Sequence, residues 1–244
     1  MKLKFVAGEP ALMLGSTLVI SDLHIGIEHE YFEAGIRIPS QTEKLVKRLD
    51  NILEAAKAKR MLILGDVKHK ITGTSWQEER DLPAFFSHFS KKVKTEIVLG
   101  NHDPLIERIL PKNVVIHPTS GMLIGDYYLC HGHAWPGGGF EKAKCVLAGH
   151  NQPMIELKDR LGYRWVEQVW VKARLKKSSG LKARFPSMGK PPKLIILPAF
   201  NELSGGVCVN REKELMGPVA KAADMRNARI YLLDGTYLGE LRHL

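Results

Sequence analysis

The chain contains 244 residues, of which 44% are hydrophobic, a proportion that is ordinary for a globular protein with a sizeable buried core. No stretch reaches the roughly 18 consecutive apolar residues that a membrane-spanning helix needs, and the first residues lack the sustained apolar run of a signal peptide. The composition therefore argues against a membrane protein and predicts a globular protein of the cytoplasm.

The sequence is strongly basic, with 36 lysine and arginine residues against 26 aspartate and glutamate residues and a formal net charge of +10. A basic surface attracts polyanions such as nucleic acid, but positive charge also serves solubility. Charge by itself leaves both interpretations open.

Three cysteines, Cys130, Cys145 and Cys208, each lie within an apolar stretch. Their odd number and wide spacing fit neither a disulfide framework nor a zinc site. We expect them to be buried, reduced thiols, which are unreactive in apolar surroundings.

Five apolar runs predict β-strands, and each run stops at a polar cluster. They are STLVISDLH (residues 16–24), KRMLILGDVKH (59–69), KTEIVLGNHD (94–103), GDYYLCHGH (125–133) and AKCVLAGHN (143–151). Ligands gather at the carboxyl ends of the strands in α/β sheets. We therefore expect the five polar clusters to lie at the same edge of one sheet.

Two helices are predicted between these strands. Residues 40–59 place leucine and isoleucine three and four positions apart, which is the spacing of one helix face, with Ser40 or Thr42 as the N-cap. Residues 81–93 predict a second, shorter helix with Pro83 in its first turn, where a missing N–H is tolerated. Alternating strands and helices are the pattern of an α/β sheet.

The second half of the chain has a different pattern. Residues 194–210 and 228–244 are rich in the apolar and β-branched residues of strands, and an Asp-Gly pair at residue 234 predicts a hairpin turn. Residues 172–193 contain eight basic residues and no acidic residue, interrupted by Gly, Ser and Pro, which predicts an exposed, irregular basic loop. No linker separates two units, so we expect residues 1–244 to form a single domain.

Carboxylate, carboxamide and imidazole groups follow the five predicted strands, and their order is more informative than any one of them. The residues are Asp22, His24, Asp66, His69, Asn101, His102, His131 and His150. This ligand chemistry suits Mn²⁺, Fe or Zn²⁺ in an open site, and no cysteine spacing offers the thiolates of structural zinc. Two cations about 3.5–4 Å apart need a shared anionic ligand to offset their repulsion, and Asp66 is the candidate for that bridge.

The ordered motifs DxH, GDxxH, GNHD, GH and GHxx resemble those of the calcineurin-like metallophosphoesterases, over about residues 15–153. Within that superfamily, SDLHIGIEHE, HGHAWP and LPAFNELSGG are most similar to the prokaryotic branch related to double-strand-break-repair nucleases and manganese-dependent DNA endonucleases, to about residue 210. The resemblance implies an α/β (α+β) fold, a four-layer αββα sandwich of two mixed β-sheets flanked by helices. It also implies an active site at the carboxyl ends of the strands.

The same resemblance implies a role for each residue of the set. The metal ligands would be Asp22 and His24 on a first ion, Asp66 between the two ions, and Asn101, His131 and His150 on the second ion. His102 stands at the position that assists the leaving group. His69 would contact the phosphate or a metal-bound water, at a position often held by Asp or Asn.

The last motif departs from the family pattern GHxH, because Gln152 stands where a second histidine would complete the first ion's ligands. A glutamine carbonyl oxygen binds a hard divalent ion more weakly than imidazole does. One interpretation is retained ligation with a preference for Mn²⁺, and the other is a partly degraded site. We expect two divalent ions, with Mn²⁺ favoured over Fe, Zn²⁺ or Ni²⁺.

Substrate contacts are indicated less directly. His133 is either a substrate contact or an exposed loop residue, and His117 either reaches the phosphate or is hydrogen-bonded elsewhere. Lys176, Lys177 and Arg184 of the predicted basic loop are candidates for binding successive phosphates, which gives salt-sensitive affinity.

Aromatic residues near that loop offer a second kind of substrate contact. Trp165, Trp170 and Phe185 would favour single strands if they stacked on exposed bases. The two tryptophans, however, lie in an alternating stretch, YRWVEQVWV, that favours a strand with one buried face.

These residues predict a metal-dependent phosphoesterase that hydrolyses phosphodiesters in line, using water whose pKa the two ions lower. The favoured function is a Mn²⁺-dependent DNA nuclease. The alternatives are a small-molecule phosphodiesterase or phosphomonoesterase, and a non-catalytic nucleic-acid-binding protein with a degraded metal site. We expect DNA as the macromolecular partner, with DNA-repair or helicase proteins beside it and no membrane.

Overall fold

The computed structural model describes residues 1–212 and 214–244, which contain two β-sheets packed face to face. The first sheet has the strand order β1-β2-β3-β4-β5-β6, and β3 to β6 run parallel. Its strands are β1 (Leu3–Phe5), β2 (Leu12–Leu14), β3 (Thr17–Ile20), β4 (Arg60–Leu64), β5 (Lys94–Val98) and β6 (Val115–His117). Its helices are α1 (Ile27–Glu33), α2 (Thr42–Ala56) and α3 (Trp76–Ser90).

The second sheet is mixed and is built from the rest of the chain. Its strands are β7 (Met122–Ile124), β8 (Tyr127–Cys130), β9 (Cys145–Ala148), β10 (Pro153–Lys158), β11 (Arg164–Arg174), β12 (Lys193–Ile196), β13 (Val207–Cys208), β14 (Arg229–Leu232) and β15 (Tyr237–Glu240). The order is β13-β10-β11-β12-β9-β8-β7, with β14 and β15 joined to it through β11. The strands β8, β9 and β12 run parallel. Two short helices accompany this sheet, α4 (Ser179–Arg184) and α5 (Pro218–Lys221).

Strand alternation divides the core into three layers. On β4, Met61 and Ile63 pack against the helices, while Leu62 and Leu64 face the second sheet. Residues two apart point to the same side of a strand, so each central strand contributes to two layers. β3 and β4 are therefore apolar after their first residue rather than alternating, as expected for strands covered on both faces. The predicted sandwich of two mixed sheets is confirmed.

The helical layer on the first sheet differs from prediction at its boundaries. Helix α2 buries Leu45 and Leu49 as expected, but its N-cap is Gln41, because the hydroxyls of Ser40 and Thr42 bond the carboxylate of Asp81 instead. Two long-range hydrogen bonds thus take the side chains away from the helix end.

Helix α3 begins five residues earlier than predicted. Ser75 accepts a hydrogen bond from the backbone of Glu78, whose carboxylate accepts one from the backbone of Ser75 in return. This capping box starts the helix at Trp76 and leaves Pro83 inside the helix rather than in its first turn. The prediction of a shorter helix was wrong because the capping box lies upstream of the apolar run.

The predicted irregular basic loop is also wrong in part. Its first residues belong to β11, and helix α4 begins where the hydroxyl of Ser178 caps Leu181. Leu181 and Phe185 are buried against the outer face of the second sheet. Apolar residues spaced among the lysines thus anchor the segment, and α4 with α5 forms a thin fourth layer.

Two further expectations concern the second sheet. The hairpin at residue 234 is present between β14 and β15. Cys130 and Cys145 are buried free thiols, and burial raises the pKa of Cys130 to about 12 and the pKa of Cys145 to about 11. Both thiols are protonated and unreactive at neutral pH.

Among the described residues, every helix is too short or too polar to cross a bilayer.

Candidate metal centre

Polar clusters from both sheets meet at one edge of the sandwich. Strands β3, β4 and β5 belong to the first sheet, whereas β8 and β9 belong to the second. The expectation that all five strands share one sheet was wrong. Because each set of strands is parallel and the sheets pack face to face, their carboxyl ends still converge. The site therefore lies between the two sheets.

Backbone conformation marks the same residues. The described chain has seven non-glycine residues with positive φ, and five of them belong to the predicted ligands: Asp22 (56°), His24 (42°), Asp66 (51°), His150 (69°) and Gln152 (44°). Such a conformation costs about 1–3 kcal/mol per residue and persists where the surroundings impose it. Strain concentrated in this way is typical of a functional site.

The side chains form three overlapping groups whose ligand atoms lie within 4.8 Å of one another. The groups are Asp22, His24 and Asp66; Asp66, His131 and His150; and His24, His69 and His102. Asp66 belongs to two groups, as a ligand shared between two cations would. Carboxylates and imidazoles in this arrangement fit two divalent ions.

His131 is oriented by its surroundings before any ion binds. Its Nδ1 donates to the carbonyl of Leu64 at 2.7 Å, so Nε2 faces the site, 3.1 Å from Asp66 Oδ2 and 3.1 Å from Asn101 Oδ1. Burial opposes the charged imidazolium, but the hydrogen bond and charge of Asp66 outweigh it and raise the pKa of His131 to about 9. The protonated form of His131 is thus favoured beside Asp66, where a bound cation would compete with the proton.

The two aspartates differ in their electrostatic surroundings. Asp22 is fully buried, and desolvation raises its pKa to about 6, with a further contribution from the charge of Asp66. Burial opposes ionisation of Asp66 as well, but His131 and His24 hold the pKa of its carboxyl well below the ordinary value. Two buried carboxylates side by side repel each other, and a divalent cation relieves that repulsion.

Gln152 lies beside His24 and Asp22, two candidate ligands of the first ion. Its side-chain amide is 2.8 Å from His24 Nε2 and 3.3 Å from Asp22 Oδ1. The oxygen and nitrogen of an amide exchange places by a simple rotation, so its carbonyl can face the same position. The position of Gln152 is thus compatible with the interpretation of retained ligation.

His150 and His133 border the side of the second ion. Their ring centroids are 4.9 Å and 5.2 Å from that of His131, and burial lowers the pKa of each to about 4. Both are neutral at pH 7 and can therefore act as ligands. Nδ1 of His133 is buried without a hydrogen-bond partner among the described residues, which favours a substrate or metal contact over an exposed loop position.

His102 and His69 lie on the opposite side of the cluster. The backbone N–H of His102 donates to Asp66 Oδ1 at 2.9 Å, and its ring stands edge-on to His24, with centroids 4.9 Å apart. His69 contacts Glu30 through Nε2, and its Nδ1 is 3.2 Å from Nδ1 of His24. Both candidate catalytic histidines thus sit beside the first ion's ligands.

Asp103 was not singled out from the sequence as a site residue, although it closes the GNHD motif. Its buried carboxylate accepts hydrogen bonds from the backbone of Val67, Lys68 and Gly100. It thereby ties the loop after β4 to the loop after β5 and positions Asp66 relative to Asn101. Its place directly after the two motif residues was the available signal.

Exposed aromatic residues beside the cluster were also missed. Trp76 is 59% exposed and Phe32 is 55% exposed, and His29 lies between them with centroids 6.1 Å and 6.4 Å away. His29 in turn lines a small cavity of about 260 Å³ together with His69 and His102. Phe32 and Trp76 are far apart in sequence, so only the tertiary structure shows that both rings lie beside His29.

Other candidates are held by partners elsewhere. His117 bonds Glu96, so its side chain is directed away from the ligand set, and the expectation that it reaches the phosphate is not supported. Lys176 pairs with Asp224 at 3.0 Å. Trp170 and Phe185 are buried and cannot stack on bases. Glu96 and Asp224, the carboxylate partners of His117 and Lys176, are distant from them in sequence, so the sequence pattern does not predict these pairs.

Lys177, Arg184 and Trp165 have freer surroundings. Lys177 and Arg184 are exposed at either end of helix α4, and Trp165 is half-buried beside Tyr163 with centroids 6.0 Å apart. A Cβ on Gly180 in this helix would be 3.1 Å from Trp135, in the loop that follows His133. Helix α4 thus lies beside the loop that follows His133.

The ionic partners of Glu96, of which His117 is one, are expected to make the stability depend on pH. Burial opposes ionisation of Glu96, but Arg60, Lys94 and His117 outweigh it and lower the pKa of Glu96 to about 2. A depressed pKa gives stability that is present above about pH 4.5 and is lost as the pH falls toward 2. We expect Glu96→Gln to remove about 2–3 kcal/mol of this pH-dependent free energy of unfolding. Urea unfolding at pH 5, 4 and 3 measures the difference in slope.

Glu107 is an exposed carboxylate, and Glu107→Gln is the matched control because it removes the same charge without those partners. Equal pH dependence in wild type and Glu96→Gln would contradict the assignment.

The fold and the metal-capable cluster define a metal-dependent phosphoesterase. The chain belongs to the calcineurin-like phosphoesterase family, whose model matches residues 15–183. Among solved structures, the nuclease MPE of Pseudomonas putida is 23% identical and has a TM-score of 0.58, with coverage of 94% of this chain and 91% of that one. This similarity shows a shared fold.

A second solved structure, the phosphoesterase YfcE of E. coli, is 13% identical with a TM-score of 0.42, covering 91% of this chain and 96% of that one. That likeness is too low to support an argument. No curated protein sequence is significantly similar to this chain.

Proposed function

We propose that the protein is a Mn²⁺-dependent nuclease that hydrolyses phosphodiester bonds of DNA at the cluster centred on Asp66. The observation that carries the proposal is the pair of metal-capable groups that share this carboxylate, one containing His24 and the other His131. Asp66 would be the ligand common to two divalent ions, which would supply Lewis-acid activation of the phosphodiester and of water.

The candidate ligands fall into two sets, one for each proposed metal position. The ligands of the first position would be Asp22, His24, Asp66 and Gln152, and those of the second would be Asp66, Asn101, His131 and His150. The mixture of oxygen and imidazole ligands, with an amide at Gln152, favours Mn²⁺ over Zn²⁺.

His102 is the candidate proton donor to the leaving oxygen. Its position is set by the backbone bond to Asp66, and its ring borders the small cavity that His29 and His69 also line. A positioned acid of this kind contributes about 10²–10⁴ to the rate. His69, held by Glu30, orients the same side of the substrate.

The exposed rings of Trp76 and Phe32 favour a nucleic-acid substrate over a small phosphate ester. A small diester does not extend to aromatic rings outside the ligand set, whereas bases flanking the scissile phosphate stack on such rings. The net charge of +10 and the exposed Lys177 and Arg184 add electrostatic attraction for phosphates. DNA-repair or helicase proteins remain the proposed partners.

A metal screen on purified protein tests this function. Single-stranded, duplex and flap DNA are compared with bis-p-nitrophenyl phosphate in Mn²⁺, Zn²⁺, Fe²⁺ and Ni²⁺ at low salt. Cleavage of DNA with Mn²⁺ is the expected result. Hydrolysis of the small diester without cleavage of any DNA would select a small-molecule phosphodiesterase. Fewer than one bound ion per chain with no hydrolysis would select a non-catalytic binding protein.

Removing the indole of Trp76 tests the stacking contact. We expect Trp76→Ala to raise KM for single-stranded DNA about tenfold, since stacking on one base is worth about 1–3 kcal/mol. Turnover of the small diester should be unchanged, because Trp76 is exposed and contributes no ligand. Tyr237, 51% exposed on β15, supplies the control Tyr237→Ala. Equal KM values for both variants and wild type would remove the aromatic pair from the substrate path.

Restoring the family's histidine tests the role of Gln152. Imidazole binds Zn²⁺ more strongly than an amide oxygen does, so we expect Gln152→His to tighten Zn²⁺ binding about tenfold or more. Competition titration with a chelating dye measures the affinity for Zn²⁺ and Mn²⁺. Asn151→His one residue earlier is unsuitable as a control, because Asn151 is buried and bonded to Met216. Lys112→His on the surface is suitable, and an unchanged Zn²⁺ affinity in Gln152→His would contradict ligation at this position.

A further inference from the structure

A cavity of about 980 Å³ lies on the second sheet, at the edge opposite the metal cluster. Cys145 at the start of β9, Lys193 at the start of β12 and Arg174 at the end of β11 are paired in register and line it. His150, which follows β9 at the other edge, is five residues from Cys145, or about 16 Å at the rise of a strand. A ligand in this cavity therefore does not reach the metal cluster.

Four of the cationic side chains that line the cavity have no acidic partner among the described residues. Arg174, Lys190, Lys193 and Arg229 line it, and none of them forms an ion pair within the described part of the chain. Like charges brought together around one space repel each other, which costs stability unless an anion is bound. Four such groups match an oligoanion rather than a single carboxylate.

The acidic residues of the cavity are already neutralised. Asp126 pairs with Lys144 at 3.0 Å, and Asp224 pairs with Lys176 at 3.0 Å. Glu240 likewise pairs with Arg242, 2.6 Å away. The field inside the cavity is therefore positive, since the lining acids do not compensate the four unpaired cations.

Lys172 extends the positive charge into an aromatic wall. Its Nζ lies 4.2 Å from the ring centroid of Phe5 and 4.2 Å from that of Tyr231, and both rings line the cavity. Partial burial lowers the pKa of this lysine. Tyr127 adds a third ring to the same wall. Lys172 covers one face of Phe5 and one face of Tyr231, whereas Tyr127 forms no aromatic or cation–π pair among the described residues. Phosphates thus find cations in the cavity, and a planar base finds the ring of Tyr127 in its wall.

We propose that this cavity binds a nucleoside polyphosphate, with the phosphates on Arg174, Lys190, Lys193 and Arg229 and the base against the aromatic wall. Its volume lies within the range of small-molecule sites. A free nucleotide is favoured over a nucleic-acid strand because a strand needs a cationic groove running across the surface, whereas these cations converge on one cavity. The site is separate from the proposed nuclease centre and does not depend on it.

Calorimetric titration of the Mn²⁺-loaded full chain with a non-hydrolysable ATP analogue tests the proposal. We expect the double variant Arg174→Gln, Lys193→Gln to weaken binding at least tenfold, since each charge-assisted bond to phosphate is lost. The matched control Lys44→Gln, Lys112→Gln removes two exposed charges outside the cavity and should bind as wild type does. A single cooperative melting transition at the wild-type temperature shows that the cavity variant is folded.

Two other probes can overturn the assignment. Inorganic tripolyphosphate should bind at least tenfold more weakly than the ATP analogue, and equal affinity would exclude a base-binding wall. A 5′-phosphorylated oligothymidylate should not compete with the analogue for this cavity. If the oligonucleotide binds and the analogue does not, and the cavity variant abolishes that binding, the site belongs to a strand and the proposal is wrong. Equal loss of analogue binding in both double variants would show a nonspecific charge effect and would also overturn it.

Discussion

Replacing Asp66 with alanine is expected to reduce Mn²⁺-dependent phosphodiester hydrolysis by at least about 10³-fold, because one side chain serves both metal positions. Its carboxylate lies 3.1 Å from Nε2 of His131 and 3.8 Å from Nε2 of His24. Losing about 4 kcal/mol of charge stabilisation in the transition state corresponds to this factor. Initial rates on bis-p-nitrophenyl phosphate, together with metal analysis of the purified variant, measure the effect.

The conservative variant separates chemistry from folding. Asp66→Asn keeps the shape of the side chain and an oxygen for the N–H of His102, but it removes the negative charge. It should lose activity to a similar extent while melting as a single cooperative transition. Asp126→Ala removes an exposed carboxylate at the far edge and should retain full activity. Wild-type turnover in both Asp66 variants would refute a shared ligand.

Replacing Gly100 with alanine is expected to reduce turnover by about 10²-fold without altering any ligand. A Cβ at this position would lie 2.2 Å from Asp66 Oδ1 and 2.3 Å from the backbone nitrogen of Asp66, so the carboxylate must move. A displacement of about 1 Å at a catalytic group costs about this factor, and overpacking costs about 1–3 kcal/mol. The rate on the small diester and the melting temperature measure the two effects.

Gly138 provides the matched control, since a Cβ there would meet no heavy atom within 4 Å. Gly138→Ala should turn over the small diester within about twofold of wild type and melt at the same temperature. If Gly100→Ala behaved like Gly138→Ala, the close approach of the two loops would not position Asp66, and the geometry of the site would need another explanation.

The cluster could be predicted because its chemistry is local to each strand end. Asp22, Asp66 and His150 each stand two positions after the last residue of a strand, and parallel strands bring such ends together. The roles of His133, His117 and Gln152 could not be predicted from spacing. His117 depends on Glu96, 21 residues away, and Gln152 depends on His24, 128 residues away. His133 lies near His150, which follows a different strand.

From the sequence, the apolar runs predicted the strands and the polar cluster after each one, because these are local properties. The ordered motifs, through their resemblance to a known family, predicted the family, the two-sheet α/β sandwich and the candidate ligands. Only the tertiary structure decided that the ligands come from two sheets and that Gln152 stands beside His24. It also decided that the lysines at 172 and 193 line a separate cavity, and that Trp76 is exposed beside the cluster. These features depend on contacts between distant segments, which follow from packing rather than from the order of residues along the chain.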